Sequence, residues 1–222
     1  MDSALIERLE RTGAQSLTPG FAVAPGVVTE PLDTLGEGRV KVRIPAYPDF
    51  EPWARVCSVG AGDGRGFVWT PQIDDEVLVA FAQNDLNSAF VLGGLWSTVD
   101  RPPLTAGPEF LIKRKIKTGV APGVGHEVEF DDALQSIKIT TSTQQQIVMD
   151  PLQIKLSNAA GTLSITMDNA SQTISIQSAV KVEVKAAQIA IEALATLDLK
   201  GALVNISATG PCVVQGKPIK LN

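Results

Sequence analysis

Residues Val180–Asn222 read VKVEVKAAQIAIEALATLDLKGALVNISATGPCVVQGKPIKLN, and what recurs in them decides the fold. Apolar residues come in pairs split by a single residue: Val182/Val184, Ile189/Ile191, Leu197/Leu199, Val204/Ile206, Cys212/Val214 and Ile219/Leu221. Successive pairs start 7, 8, 7, 8 and 7 residues apart. Going back along the chain, Ile174/Ile176, Leu163/Ile165, Ile154/Leu156, Ile147/Met149 and Ile137/Ile139 continue the pattern at intervals of 7 to 11. A spacing of two inside each unit means a strand with one buried face, and repetition of the unit means a stacked array.

Each repeat supplies only two or three apolar side chains, mostly β-branched. A ribbon of such strands has a greasy face with nothing in its own chain to cover it, and it exposes strand edges. No amphipathic helix of useful length follows residue 131. Ala and Lys over 180–200 favour helix, but Val180, Val182, Val184, Ile189 and Ile191 keep the alternation. Copies of the same ribbon are therefore the expected cover. Three chains about an axis would close a prism with the ten residues from Val182 to Val214 in these pairs as its core. Lys181, Glu183, Lys185, Glu192, Asp198 and Lys200 would then point outward.

The rest of the chain is of another kind. All eleven aromatic residues lie at or before Phe130, and only Pro151, Pro211 and Pro218 of the fourteen prolines come later. Residues 131–222 carry seven Lys against seven acidic residues, so the formal charge of −5 belongs to residues 1–130. A short helix capped by Asp2 or Ser3 and ended by Gly13 would have Leu5, Ile6 and Leu9 on one face. After it, Phe21–Glu30, Gly38–Ala46, Trp53–Val59, Phe67–Thr70, Asp75–Ala82 and Ala89–Trp96 read as short strands with Gly-rich turns. Such a series predicts a small closed barrel, whose core Trp53, Phe67, Trp69, Phe81, Phe90 and Trp96 would mostly supply.

At 44% hydrophobic and 19% charged the chain is a folded one. No apolar run approaches the roughly 20 residues of a bilayer span, and Met1-Asp2-Ser3 does not open a secretory signal. Synthesis in the cytoplasm is expected, with Cys57 and Cys212 as two buried thiols and not a disulfide framework. The acidic balance argues against nucleic acid, and Lys113-Arg114-Lys115 with Lys117 reads as a solvated strand face.

Several motifs in order resemble one family. Gly38-Arg-Val-Lys-Val-Arg-Ile-Pro45, Trp53-Ala-Arg-Val, Gly64-Arg-Gly-Phe, Pro71-Gln-Ile-Asp-Asp-Glu-Val-Leu-Val-Ala-Phe81, Val91-Leu-Gly-Gly-Leu-Trp96 and Arg101-Pro-Pro are similar to the barrel of phage baseplate assembly protein V and of the valine–glycine-repeat spikes of type VI secretion. Gly125-His-Glu-Val-Glu-Phe-Asp-Asp132 and Gly216-Lys-Pro-Ile-Lys-Leu-Asn222 resemble the opening and closing motifs of their needle. The resemblance implies an all-β homotrimer, with an oligonucleotide/oligosaccharide-binding (OB) barrel leading into an intertwined triple-stranded β-helix. The expected domains are an N-terminal helix and arm (1–16), the barrel (17–98), a linker (99–125) and the needle (126–222). The implied role is the central spike of a contractile tail baseplate or injection system, in a phage, a tailocin, an extracellular injection system or a secretion machine, that pierces the target envelope.

The partners implied are a separate hub protein, a small PAAR-like tip protein and, transiently, the target membrane. Leu5, Ile6 and Leu9 are the expected hub contact. Gly216, Lys217, Pro218, Ile219, Lys220, Leu221 and Asn222 are the expected docking surface for the tip, by strand addition to uncovered edges. The chain departs from its relatives in lacking a fused hub, an inserted lysozyme domain and an apex of paired histidines, and in a sparse Val-Gly repeat.

No catalytic, cofactor or metal site is expected. His126, the single histidine, alternates onto the face of Val128 and Phe130, away from Glu127, Glu129 and Asp131, so a metal site or a hydrolytic triad is a poor fit beside an ordinary strand residue. Asp74-Asp75-Glu76 reads as a turn, and Gly60, Gly62, Gly64 and Gly66 lack the Lys-Ser/Thr of a phosphate loop. Two other classes compete. One is an OB binding module for glycan or nucleic acid on a β-helical stalk, disfavoured because no basic, aromatic-lined groove is apparent. The other is a carbohydrate-active β-helix, disfavoured because Glu183, Glu192 and Asp198 are isolated among lysines.

Overall fold

The computed structural model describes residues 23–104, 107–121 and 123–220. The helix expected over the first residues, with Leu5, Ile6 and Leu9, lies outside the described residues, as do Leu221 and Asn222. The chain divides into two units, residues 1–179 and 180–222.

The first unit opens with the barrel. Its strands are β1 (Val23–Glu30), β2 (Arg39–Arg43), β3 (Trp53–Val56), β6 (Glu76–Phe81) and β7 (Ala89–Gly94), and it closes in the order β1-β2-β3-β7-β6. Neighbours are antiparallel except β3 and β7, which run parallel through Arg55↔Phe90 and Val56↔Val91. That one parallel pair joins distant parts of the chain and makes the topology that of an OB fold. Between β3 and β6 a small hairpin, β4 (Ala61–Gly62) with β5 (Arg65–Gly66), stands as a separate two-stranded sheet.

The core is aliphatic. Val28, Val40, Val42, Ile44, Ala54, Val77, Val79, Phe81, Ala89 and Val91 fill the interior. Burial of each larger member contributes roughly 1.5–3 kcal/mol. Of the aromatics expected there only Phe81 is buried. Phe67, Trp69 and Trp96 are exposed, and Phe67–Thr70 is a loop instead of a strand. The reason is room. A Cβ added at Gly26, on the inner face of β1, would lie 2.5 Å from Val42 Cγ1 and 3.0 Å from Ile44 Cδ1. An interior that rejects a methyl group has no space for indoles. Phe67 and Trp69 stack on each other outside it, centroids 6.0 Å apart.

A helical turn, α1 (Glu109–Ile112), leads into a seven-stranded antiparallel meander in chain order: β8 (Lys113–Lys117), β9 (Glu127–Asp131), β10 (Ser136–Thr140), β11 (Gln146–Met149), β12 (Gln153–Ser157), β13 (Leu163–Asp168) and β14 (Thr173–Ser178). The sheet thus begins at Lys113, inside the stretch read as linker, because β8 has cations where the later strands have apolar pairs. Its turns share a device: a polar side chain at the strand end accepts a backbone N–H from beyond it. Asp131 Oδ1 accepts from Leu134, Thr141 Oγ1 from Gln145, Asp150 Oδ1 from Leu152 and Gln153, Asn158 Oδ1 from Leu163, and Asp168 Oδ1 from Ser171.

The second unit is extended chain. Among its described residues no strand pairs within the chain, and the backbone bends at 179–180, 187, 194–195, 202–203, 209–210 and 217–218. Those bends keep the spacing of the apolar pairs, which each follow a bend by about two residues.

Candidate assembly surface

Register gives the meander two chemically distinct faces. Ile137 faces Met149 and Phe130, Ile139 faces Ile147 and Val128, Leu156 faces Ile147 and Ile165, and Ile165 faces Ile176. One side is therefore an apolar stripe continuous from Ile116 on β8 to Ile174 and Ile176 on β14. It is uncovered: Ile139, Ile147, Ile165 and Ile176 are 36%, 36%, 44% and 63% exposed.

The opposite side carries charge where it has most. Lys113, Lys115 and Lys117 face Asp131, Glu129 and Glu127 across β8 and β9. Lys115 Nζ lies 2.7 Å from Glu129 Oε2 and 3.1 Å from Glu127 Oε1, and Lys113 Nζ lies 3.4 Å from both Glu129 and Asp131. Burial works against the Lys115 cation, but its bonds to Glu129 and Glu127 outweigh that and raise its pKa. The Lys115 bond, ahead of the cost of burial, lowers that of Glu129. The backbone N–H of Leu134 is the largest cause of the lowered pKa of Asp131, which Lys113 adds to. The side chains of Lys113, Lys115, Glu129 and Asp131 are 5–22% exposed, so the centre of the ionic face is better covered than the apolar stripe. An exposed apolar stripe of this extent is a candidate interaction surface.

In the second unit Val182, Val184, Ile189, Ile191, Leu197, Leu199, Val204, Ile206 and Val214 are all at least half exposed, and Cys212 is exposed too. Cys57, expected buried, is likewise exposed. Of the expected tip surface, Gly216, Lys217, Pro218, Ile219 and Lys220 are described and exposed.

His126 is exposed. Its backbone N–H donates to Thr118 Oγ1 at 2.9 Å and its carbonyl accepts from the Thr118 N–H at 2.9 Å, closing the 118–126 loop. The acids beside it turn to the lysines of β8. Among the described residues no group of three or more His, Cys, Asp and Glu could hold a metal ion. A groove of about 590 Å³ is lined by Trp96, Arg101, Lys117, Glu127, Lys138 and the 118–125 loop.

One surface was not apparent in the sequence. The outward positions of β2, β3 and β7 bring Arg39, Lys41, Arg43, Trp53, Arg55 and Phe90 together. The barrel thus does carry a basic, aromatic face. Its rings are covered, however: the Arg39 guanidinium lies 5.9 Å from the Trp53 centroid and that of Arg55 5.7 Å from Phe90. Arg39 is bonded to Asp33, and Lys41 lies 3.9 Å from Glu51.

Residues 24–96, the closed barrel from Ala24 onward, match the family described as the type VI secretion system/phage-baseplate injector OB domain. The barrel is thus similar to the injector OB domains of that family. The chain is also similar to three proteins that carry spike or VgrG names. The actin cross-linking toxin VgrG1 of Vibrio cholerae is 30% identical over 121 residues, 51% of this chain and 11% of that protein. The type VI secretion system spike proteins VgrG2a and VgrG2b of Pseudomonas aeruginosa are each 30% identical over 126 residues, 54% of this chain and 15% and 12% of theirs. The chain so spans between 11 and 15% of the length of these relatives. Among the described residues, no helix is long and apolar enough to cross a membrane.

Proposed function

We propose that this chain is a non-enzymatic structural spike subunit of a contractile baseplate or injection system, working as a homotrimer. The observation that carries the reading is a barrel similar to the injector OB domain followed by two successive stretches whose apolar faces have no cover among the described residues. In the first, residues 113–178, the strands already pair with one another, so three copies would set three sheets face to face. In the second, residues 180–220, strand pairing would come from neighbouring copies, and here the chains would intertwine. A buried stack of small β-branched side chains makes a stiff, narrow shaft, suited to transmitting an axial push and piercing an envelope.

The same reading gives the spike a hub protein as partner, through the residues before the barrel. It also gives it a tip protein on Gly216–Lys220, where Ile219 continues the row of exposed apolar residues. The whole would be assembled into the tail or injection baseplate. Val204→Asp tests the trimer, since it would set three carboxylates about one axis, and buried unpaired charges cost several kcal/mol each. Light scattering during size exclusion should show a trimer for the native chain and loss of it for the variant. A folded 23.5 kDa native monomer would overturn the reading.

The basic face of β2, β3 and β7 favours a second reading, in which the barrel grips an anionic polymer. The covered rings and the pairing of Arg39 and Lys41 with acids count against it, because base and sugar recognition uses open ring faces. Titrating tryptophan fluorescence with a single-stranded oligonucleotide and with an anionic glycan separates the two: saturable binding lost in Arg55→Ala would support the gripping barrel.

A further inference from the structure

Three outward residues of the second unit hold equivalent places in the repeat. Lys185 follows Val184, Glu192 follows Ile191 and Lys200 follows Leu199, each the residue after the second member of an apolar pair. Bends at 187 and 194–195 separate them along the chain. Lys185 Nζ lies 2.8 Å from Glu183 and Lys200 Nζ 3.3 Å from Asp198, whereas no ion pair joins Glu192 to any described residue of its own chain.

Consider what the bends impose on three copies. Each bend carries a chain from one face of the prism to the next and one strand further along the axis. On any one face, consecutive strands then belong to three different chains, each one repeat further along its sequence. Strands stacked this way lie about 4.8 Å apart, and the apolar pairs fix which residues share a level. Lys185 of one copy, Glu192 of a second and Lys200 of the third therefore fall in one column. The neighbouring column, Glu183, Ala190 and Asp198, has no such alternation of sign.

We infer that Glu192 is a register clamp between copies of this chain, bonded by a lysine of a different copy on either side. The inference rests on the trimeric reading above and adds to it which residues of which copies meet. A slip of one repeat would place Glu192 beside Ser207, or set Lys185 against Lys200. The column thus discriminates among registers that the near-uniform apolar pairs would tolerate almost equally.

The test is a cross-link. In the full chain with Cys57→Ser and Cys212→Val, the pair Lys185→Cys and Glu192→Cys places two thiols on adjacent strands, within the reach of a disulfide. After mild oxidation, denaturing electrophoresis should show covalently closed trimers, and either single variant should show none. As a second measurement, Glu192→Lys lines up three cations. It should lower the thermal midpoint of trimer dissociation by several degrees in low salt and far less in about 1 M salt, where screening shortens to about 3 Å. A native trimer whose double variant forms no disulfide between chains, or only one within a chain, overturns the clamp and leaves the trimer standing. A native chain that is monomeric overturns both.

Discussion

Asp33 holds Arg39 with both carboxylate oxygens: Oδ2 accepts from Nε at 3.1 Å and Oδ1 from Nη2 at 3.2 Å. The same carboxylate accepts the backbone N–H groups of Leu35, Glu37 and Arg39. One side chain thus ties the β1–β2 connection to the strand it feeds, and Arg39 in turn lies over Trp53.

That clasp has a pH signature. The Arg39 bond is the largest cause holding the Asp33 carboxyl down to about 2, below its value of about 3.9 in the unfolded chain. A folded-state pKa below the unfolded one means stability that is fully present above about pH 4 and lost as pH falls toward about 2. Thermal melts of the native chain should drop through that window. Asp33→Asn should melt lower at neutral pH and lose less on acidification. The remaining slope would belong to the other carboxylates held low, Asp131 and Asp168 chiefly by the N–H groups of Leu134 and Ser171, Glu129 by Lys115 and Glu183 by Lys185.

Gly26→Ala should destabilise the barrel by about 1–3 kcal/mol, the usual cost of overpacking. The added carbon meets Val42, Ile44 and Val79 from inside a closed barrel, where none of the three can swing away. Urea denaturation followed by tryptophan fluorescence reads it, and an unchanged midpoint would show that the interior has slack the packing does not display.

Much of this barrel is visible in the sequence, and what misleads is aromatic. The alternation in Glu76–Phe81 and Arg39–Arg43 places inward valines correctly, but it does not report how narrow the interior is. Phe67, Trp69 and Trp96 look like core by composition alone. In the meander, the pairs from Ile137 to Ile176 all fall on strands and on one face. The strand face of β8 is legible in Lys113, Lys115 and Lys117, but its place in the sheet is not, because those cations alternate with only one apolar residue, Ile116. The available signal was the matching alternation Glu127, Glu129, Asp131. The basic face of the barrel could not be seen at all, since three strands from separate stretches build it.

The two faces of the meander should respond oppositely to charge. Ile165→Asp puts a carboxylate in the apolar stripe between Leu156 and Ile176, and Thr166→Asp puts one on the other side between Lys155 and Ser175. Size exclusion with light scattering should show assembly lost in the first, at several kcal/mol per buried unpaired charge, and retained in the second. Equal behaviour would mean that the stripe stays wet.

Lys115 and Glu129 should be coupled. They are partly buried, 2.7 Å apart and directly opposed on β8 and β9. A double-mutant cycle with Lys115→Ala and Glu129→Ala should return an interaction of about 1 kcal/mol or less, reduced but not abolished by salt. A coupling of zero would make β8 a passenger on the sheet.

The meander joins each strand to the next by a short turn and pairs strands only with their sequence neighbours. Local pairing of this kind closes fast and depends little on chain length, since single hairpins form in roughly 1–10 μs. Residues 113–178 can therefore order as a unimolecular event, while the chain is still being synthesised. Residues 180–220 have no strand partner among the described residues of their own chain and would wait for a second-order encounter. Refolding kinetics of the native chain should accordingly split into a phase independent of protein concentration and a later one that accelerates with it. If the proposed trimer forms, the sheets, already folded, would align the copies for zippering that starts at residue 180 and proceeds toward residue 220.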